Sequence, residues 1–179
     1  MTRPIRKIIK NKKKWTVIVV VFIDAANLIY SQKSLGWKID LEKFIHFFRS
    51  NYKTKRVYYY YAYQRADKDQ QRFFKKLEEW NYKIRTKEVK IIKQKDGTTF
   101  KKGNLDVDLT IDAVKSLDSY DKAILVSGDS DFTSLVKYLR FRKKSVVVIS
   151  TKGHVAFELI RAANKYINLN SLRKEIERK

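Results

Sequence analysis

The chain contains no cysteine, one proline, five glycines and two histidines in 179 residues. Without cysteine there are no disulfides and no thiolate metal sites, which accords with a reducing compartment. With only His46 and His154, a histidine-rich zinc site is not expected. The single proline, Pro4, lies near the start, and no Gly/Ser-rich linker divides the rest. Long apolar runs are also missing. The longest, Val17 to Ile23, is too short to span a bilayer and ends in Asp24. The basic start is not followed by a small-residue cleavage site, so we expect a soluble, cytoplasmic protein with no membrane partner.

Acidic residues are scarce as well. There are 19 Asp and Glu against 41 Lys and Arg, a net charge of +22. Such an excess favours a polyanionic partner, and nucleic acid before others. At 44% hydrophobic, the chain has enough apolar residues to fold, and its length fits one domain.

Residues 16–23 are β-branched and apolar throughout, as in a strand buried on both faces. Further strands are expected at 56–63, 123–126, 146–149 and 166–169, with extended structure at 82–92. Helical patterns fall at 67–80, 105–117, 132–141 and 154–163, and from Asp40, a candidate N-cap. Lys95-Asp96-Gly97-Thr98 reads as a hairpin turn. Strand and helix alternate, so the expected class is α/β: a central, mainly parallel sheet flanked by helices in three layers. We divide the chain into a basic arm (1–14), a domain (15–169) and a charged C-terminal helix (170–179). The run Tyr58-Tyr59-Tyr60-Tyr61, with Tyr63, reads as core packing, although one ring reaching a site would stack on bases.

The scarce acids fall at strand ends and helix starts. Asp24 follows the first strand, and Asp129 and Asp131 follow the apolar run Ala123–Val126. A helix N-cap explains one of them but not all. Asp106, Asp108 and Asp112 lie on the intervening helix, where Asp108 reads as a solvated surface charge. Carboxylates gathered together repel one another unless a cation neutralises them. Hard oxygen ligands without His or Cys select Mg²⁺ or Mn²⁺. Such an ion in a basic groove fits phosphodiester hydrolysis. Other readings fail: Asp106-Val107-Asp108-Leu109-Thr110 has the DxDxT pattern of dehalogenase-like phosphatases but lacks the apolar strand before it, and no GxGxxG follows the first strand. A non-catalytic RNA-binding module is the remaining alternative.

Phe22-Ile23-Asp24-Ala25-Ala26-Asn27, Lys102-Gly103-Asn104-Leu105-Asp106 through Asp112, and Ser127-Gly128-Asp129-Ser130-Asp131-Phe132 together resemble the NYN domain family, a LabA-like (DUF88) branch of the PIN-like nucleases. The resemblance covers roughly residues 16 to 168, with the motifs in order. The Asn104-Leu105 spacer is one residue longer than the family's usual form. The resemblance implies a PIN-like Rossmannoid fold and a metal-dependent ribonuclease. It implies Asp24, Asp106, Asp129 and Asp131 as catalytic metal ligands, assisted by Asp112 and Asn27, with Ser127 orienting a phosphate or a water. Lys102 and Lys152, next to glycines, are expected phosphate contacts, followed by Lys101, Lys143 and Lys144. Single-stranded RNA is the expected substrate. The sequence is silent on oligomeric state; a homodimer is a possibility by analogy with PIN-like relatives, which often pair, and the small size without a second domain makes a targeting partner protein a further possibility.

Overall fold

The computed structural model describes residues 16–63, 68–93 and 99–179, with side chains described outside 91–102. The basic arm, Asp67 and the turn at 95–98 lie outside the described residues, as do the side chains of Lys101 and Lys102.

Strand β1 (Ile18–Asp24) is the centre of the molecule. Val19 to Ile23 are all buried, at 0–1% exposure, because both faces of the sheet are covered. Successive side chains point to opposite faces. Val19, Val21 and Ile23 enter one core, with Phe44, Phe48 and Leu77. Val20 and Phe22 enter the other, with Leu109, Phe132 and Leu159. At roughly 1.5–3 kcal/mol per large side chain buried, this one strand anchors both layers.

Around it lie β2 (Lys53–Tyr63), β3 (Lys83–Glu88), β6 (Lys122–Val126), β7 (Ser145–Ser150) and β8 (Lys165–Asn168), in the order β3-β2-β1-β6-β7-β8. Every pairing in this sheet is parallel. A separate antiparallel pair, β4 (Lys90–Lys93) with β5 (Thr99–Lys102), brackets the expected turn. Helices α1 (Ala25–Leu35), α2 (Leu41–Asn51), α3 (Lys68–Glu79) and α7 (Arg173–Ile176) pack on the first core. Helices α4 (Asp106–Lys115), α5 (Thr133–Phe141) and α6 (Phe157–Ala162) pack on the second. The expected three-layer α/β architecture is therefore present.

The chain leaves β1 toward β2 and β3, then returns to β6 on the other side of β1. Loops after β1 and β6 thus diverge and open a crevice at the carboxyl edge of the sheet, the usual ligand position in such folds.

Two local expectations differ. The helix expected at 154–163 starts only at Phe157, because Ala156 N donates to the Gly128 carbonyl at 3.0 Å and the preceding loop is used to close against β6. The C-terminal segment is a 3-10 turn and a four-residue helix packed on the domain: Leu169, Leu172 and Ile176 are buried, and Asp40 N donates to the Ile176 carbonyl at 2.8 Å. The tyrosines of β2 mainly pack. Tyr58, Tyr59 and Tyr60 are buried, and Tyr61 and Tyr63 lie edge-on to Phe74. Among the described residues no helix is long and apolar enough to cross a membrane.

Candidate metal centre

Asp24 closes β1 and caps α1. Its Oδ1 accepts from Asn27 N at 3.2 Å, and its Oδ2 accepts from Ser127 Oγ at 3.0 Å. The same Ser127 Oγ accepts from Asp129 N at 3.2 Å, and Asn27 Oδ1 accepts from Gly128 N at 2.9 Å. Ser127 and Asn27 therefore bolt the end of β1 to the end of β6 across the crevice. Ser127 is 1% exposed, so its contribution is to hold Asp24 in place rather than to meet a substrate.

Asp129 caps the turn Ser130–Phe132 by accepting from Asp131 N at 2.9 Å. Asp106 opens α4, where the helix dipole favours its charge, and accepts from Asn104 Nδ2 at 2.6 Å. One carboxylate oxygen from each of Asp106, Asp129 and Asp131 lies within 4.8 Å of the others. The longer spacer before Asp106 thus still delivers it to the cluster. Beside it is a cavity of about 280 Å³ reached by Asp24, Tyr60, Asn104 and Asp106.

Burial, then the charges of Asp24, Asp129 and Asp131, push the Asp106 carboxyl up to about 6. Burial also raises Asp24, opposed by its bonds from Asn27 and Ser127, with the Asp129 charge adding to the rise. Like charges held together by the fold at some electrostatic cost are what a cation would relieve. The donors are hard oxygens with no His or Cys among them, and so suit Mg²⁺ or Mn²⁺.

A pH dependence follows. The Asp106 carboxyl is raised in the folded chain, so its contribution to stability is full below about pH 4 and is lost as pH rises through about 6. In EDTA we expect Tm to fall over that window, and Asp106→Asn to flatten the fall. Mn²⁺ should raise Tm more at pH 7.5 than at pH 5. Differential scanning fluorimetry reads all three, and an unchanged slope in Asp106→Asn would contradict the assignment.

The structure separates other expected site residues from the cluster. Asp112 pairs with Arg85 (Oδ2 to Nε 2.7 Å) and accepts from Tyr60 Oη at 3.0 Å. Six residues beyond Asp106, it points about 120° away around the helix axis, at 100° per residue. Its expected role at the metal is thus replaced by one in anchoring β2 and β3 to α4. Asp112→Ala strands a mostly buried tyrosine hydroxyl and an arginine, at a cost of about 1–3 kcal/mol by denaturant melts. Metal-induced shifts in Tm should survive this substitution. Lys143 and Lys144 lie at the opposite edge of the sheet, since α5 runs back from the crevice before β7 begins, and Lys144 Nζ donates to the Tyr120 carbonyl at 2.8 Å. Lys152 is exposed on the loop after β7, at the carboxyl edge. Sequence reasoning missed Asn104. Its position two residues before Asp106, the spacing of a local side-chain contact, was the available signal.

The sequence profile of the NYN domain matches residues 18–170. The chain belongs to the NYN domain family. It is also similar, at 32% identity over 163 residues, to the low amplitude and bright protein LabA of Synechococcus elongatus, covering 89% of this chain and 88% of that one. A crystal structure of a protein of unknown function from Vibrio parahaemolyticus superimposes with a TM-score of 0.75 over 90% of this chain and 96% of that one, at 24% identity, which shows the shared fold. NYN domains are grouped with the PIN-like nucleases and bind RNA in general, and in this NYN chain the Asp cluster has the composition to hold a metal ion.

Proposed function

We propose that this NYN domain is a metal-dependent ribonuclease that hydrolyses phosphodiester bonds of single-stranded RNA. The observation that carries the reading is the convergence of Asp106, Asp129 and Asp131 from two separate stretches of chain at the sheet's switch point, in a protein with net charge +22. A divalent cation bound there supplies charge neutralisation at the phosphate and lowers the pKa of the attacking water.

The chain's own residues do the rest. Asp106, Asp129 and Asp131 would hold the ion, and Asp131 is the most exposed of them. Asp24, whose charge acts on Asp106, is fixed by Ser127 and Asn27 so that it does not rotate away. Lys152 offers a phosphate contact on the same edge. An open cleft suits an unpaired backbone better than a duplex.

The test is cleavage of a labelled single-stranded RNA by purified protein in Mn²⁺, Mg²⁺ or EDTA, beside the Asp129→Asn variant and a duplex DNA. RNA binding without cleavage in either metal would move the assignment to an RNA-binding module.

A further inference from the structure

On the outer side of α4, away from the cluster, Asp108 and Asp112 face β3. Lys87 Nζ lies 3.5 Å from Asp108, and Arg85 Nε 2.7 Å from Asp112. The acids are four apart on one helix face and the cations two apart on one strand face, so the pairs form a ladder. The ladder starts next to the carboxylate cleft and runs toward the far end of α4. There it opens into a concave pocket of about 370 Å³, lined by Lys55, Arg56, Tyr58, Arg85, Asp112 and Lys115 among others.

The charge changes along this path. Within the ladder each acid is matched by a cation. In the pocket, among the described residues, no carboxylate pairs with Lys55, Arg56 or Lys115. Lys55 Nζ reaches only the Ser119 carbonyl at 3.4 Å, and Arg56 Nη1 the Tyr58 hydroxyl at 3.2 Å. All three side chains belong to exposed residues. Arg85 stands over the Tyr58 ring at 5.6 Å and spends two of its donors on Asp112, which fixes the guanidinium at the pocket wall. A helix C-terminus accounts for a lysine at 115. It does not account for Lys55 and Arg56, which lie on β2.

We propose that this pocket is a second phosphate-binding subsite, which takes the backbone of the same RNA strand a few nucleotides away from the bond in the cleft. Helix α4 has 10 residues, which sets the two sites about 15 Å apart. The pocket is concave, and the ladder between it and the cleft pairs each acid with a cation, so a strand that crosses it meets no excess of negative charge. The inference rests on RNA as the ligand but not on cleavage.

The test compares K55A/R56A/K115A with the charge-matched K33A/K38A/K174A, both checked for wild-type circular dichroism. Binding of a labelled 12-nucleotide RNA and of a dinucleotide is measured in EDTA across a salt series. The pocket variant is expected to lose at least tenfold in affinity for the 12-mer, and to show a salt slope shallower by about 2, at ~0.7 per phosphate contact in a single strand. The advantage of the 12-mer over the dinucleotide should shrink with it. Equal affinity and slope in the two variants would overturn the proposal, as would loss of binding to phosphatidylserine vesicles with RNA binding intact. Wild-type binding without metal-dependent cleavage would remove the nuclease reading and leave this subsite standing.

Discussion

Asp129→Asn is expected to reduce metal-dependent RNA cleavage by more than about 100-fold, since losing even an outer-shell partner of a metal ligand costs about 10–100-fold. The substitution is nearly isosteric, and the amide oxygen can still accept from Asp131 N, so the turn Ser130–Phe132 should persist. What is lost is one of the negative charges that Asp106, Asp129 and Asp131 place within 4.8 Å of one another. Removing it weakens the hold on the cation and relieves the repulsion on Asp106. The variant should therefore be at least as stable as wild type in EDTA, and gain less Tm on addition of Mn²⁺. RNA binding in EDTA should be retained. Cleavage at the wild-type rate by a folded Asp129→Asn protein would place the chemistry elsewhere.

Gly128→Ala should damage both stability and activity through a single added methyl group. A Cβ at this position would overlap the His154 backbone carbonyl and come within 2.6 Å of Ser150 Oγ. The carbonyl is not free to withdraw, because the Gly128 oxygen accepts from Ala156 N at 3.0 Å and ties the two loops together. Overpacking of this kind costs about 1–3 kcal/mol, which is a few degrees of Tm per kcal/mol for a domain of this size. If the strain is relieved by moving the β6 loop, Asp129 moves with it, and a misplacement of about 1 Å can cost roughly 100-fold in rate. Thermal melts and the cleavage assay measure the two effects separately. A variant within a degree of wild type and fully active would overturn this prediction.

The loss of a methyl-sized gap at Gly128 was not visible in the sequence, where Ser127-Gly128 reads only as a strand-ending turn. The contact depends on the loop after β7, 26 residues later, since the obstructing atom belongs to His154. The buried hydroxyls of Ser150 and Thr151 near the same junction have no hydrogen-bond partner among the described residues.

Some features of this protein follow from local sequence alone. An all-apolar β-branched run can be satisfied only where both faces are covered, and this fixes β1 at the centre of a parallel sheet. Asp24 and Asp129 each follow such a run, so their place at the carboxyl edge was legible, as were the scarcity of acids and the hard-oxygen donor set. Tertiary structure alone decided which acids meet. Asp106 and Asp112 share one helix, and the rotation of α4 against the sheet sends the first to the cluster and the second to Arg85 and Tyr60. Helix direction likewise carried Lys143 and Lys144 to the far edge, while Lys152 stayed on the near one. The pattern of a segment determines which of its residues share a face. What that face meets depends on the order of strands in the sheet, set by packing between segments more than a hundred residues apart, such as Asp24 and Ser127.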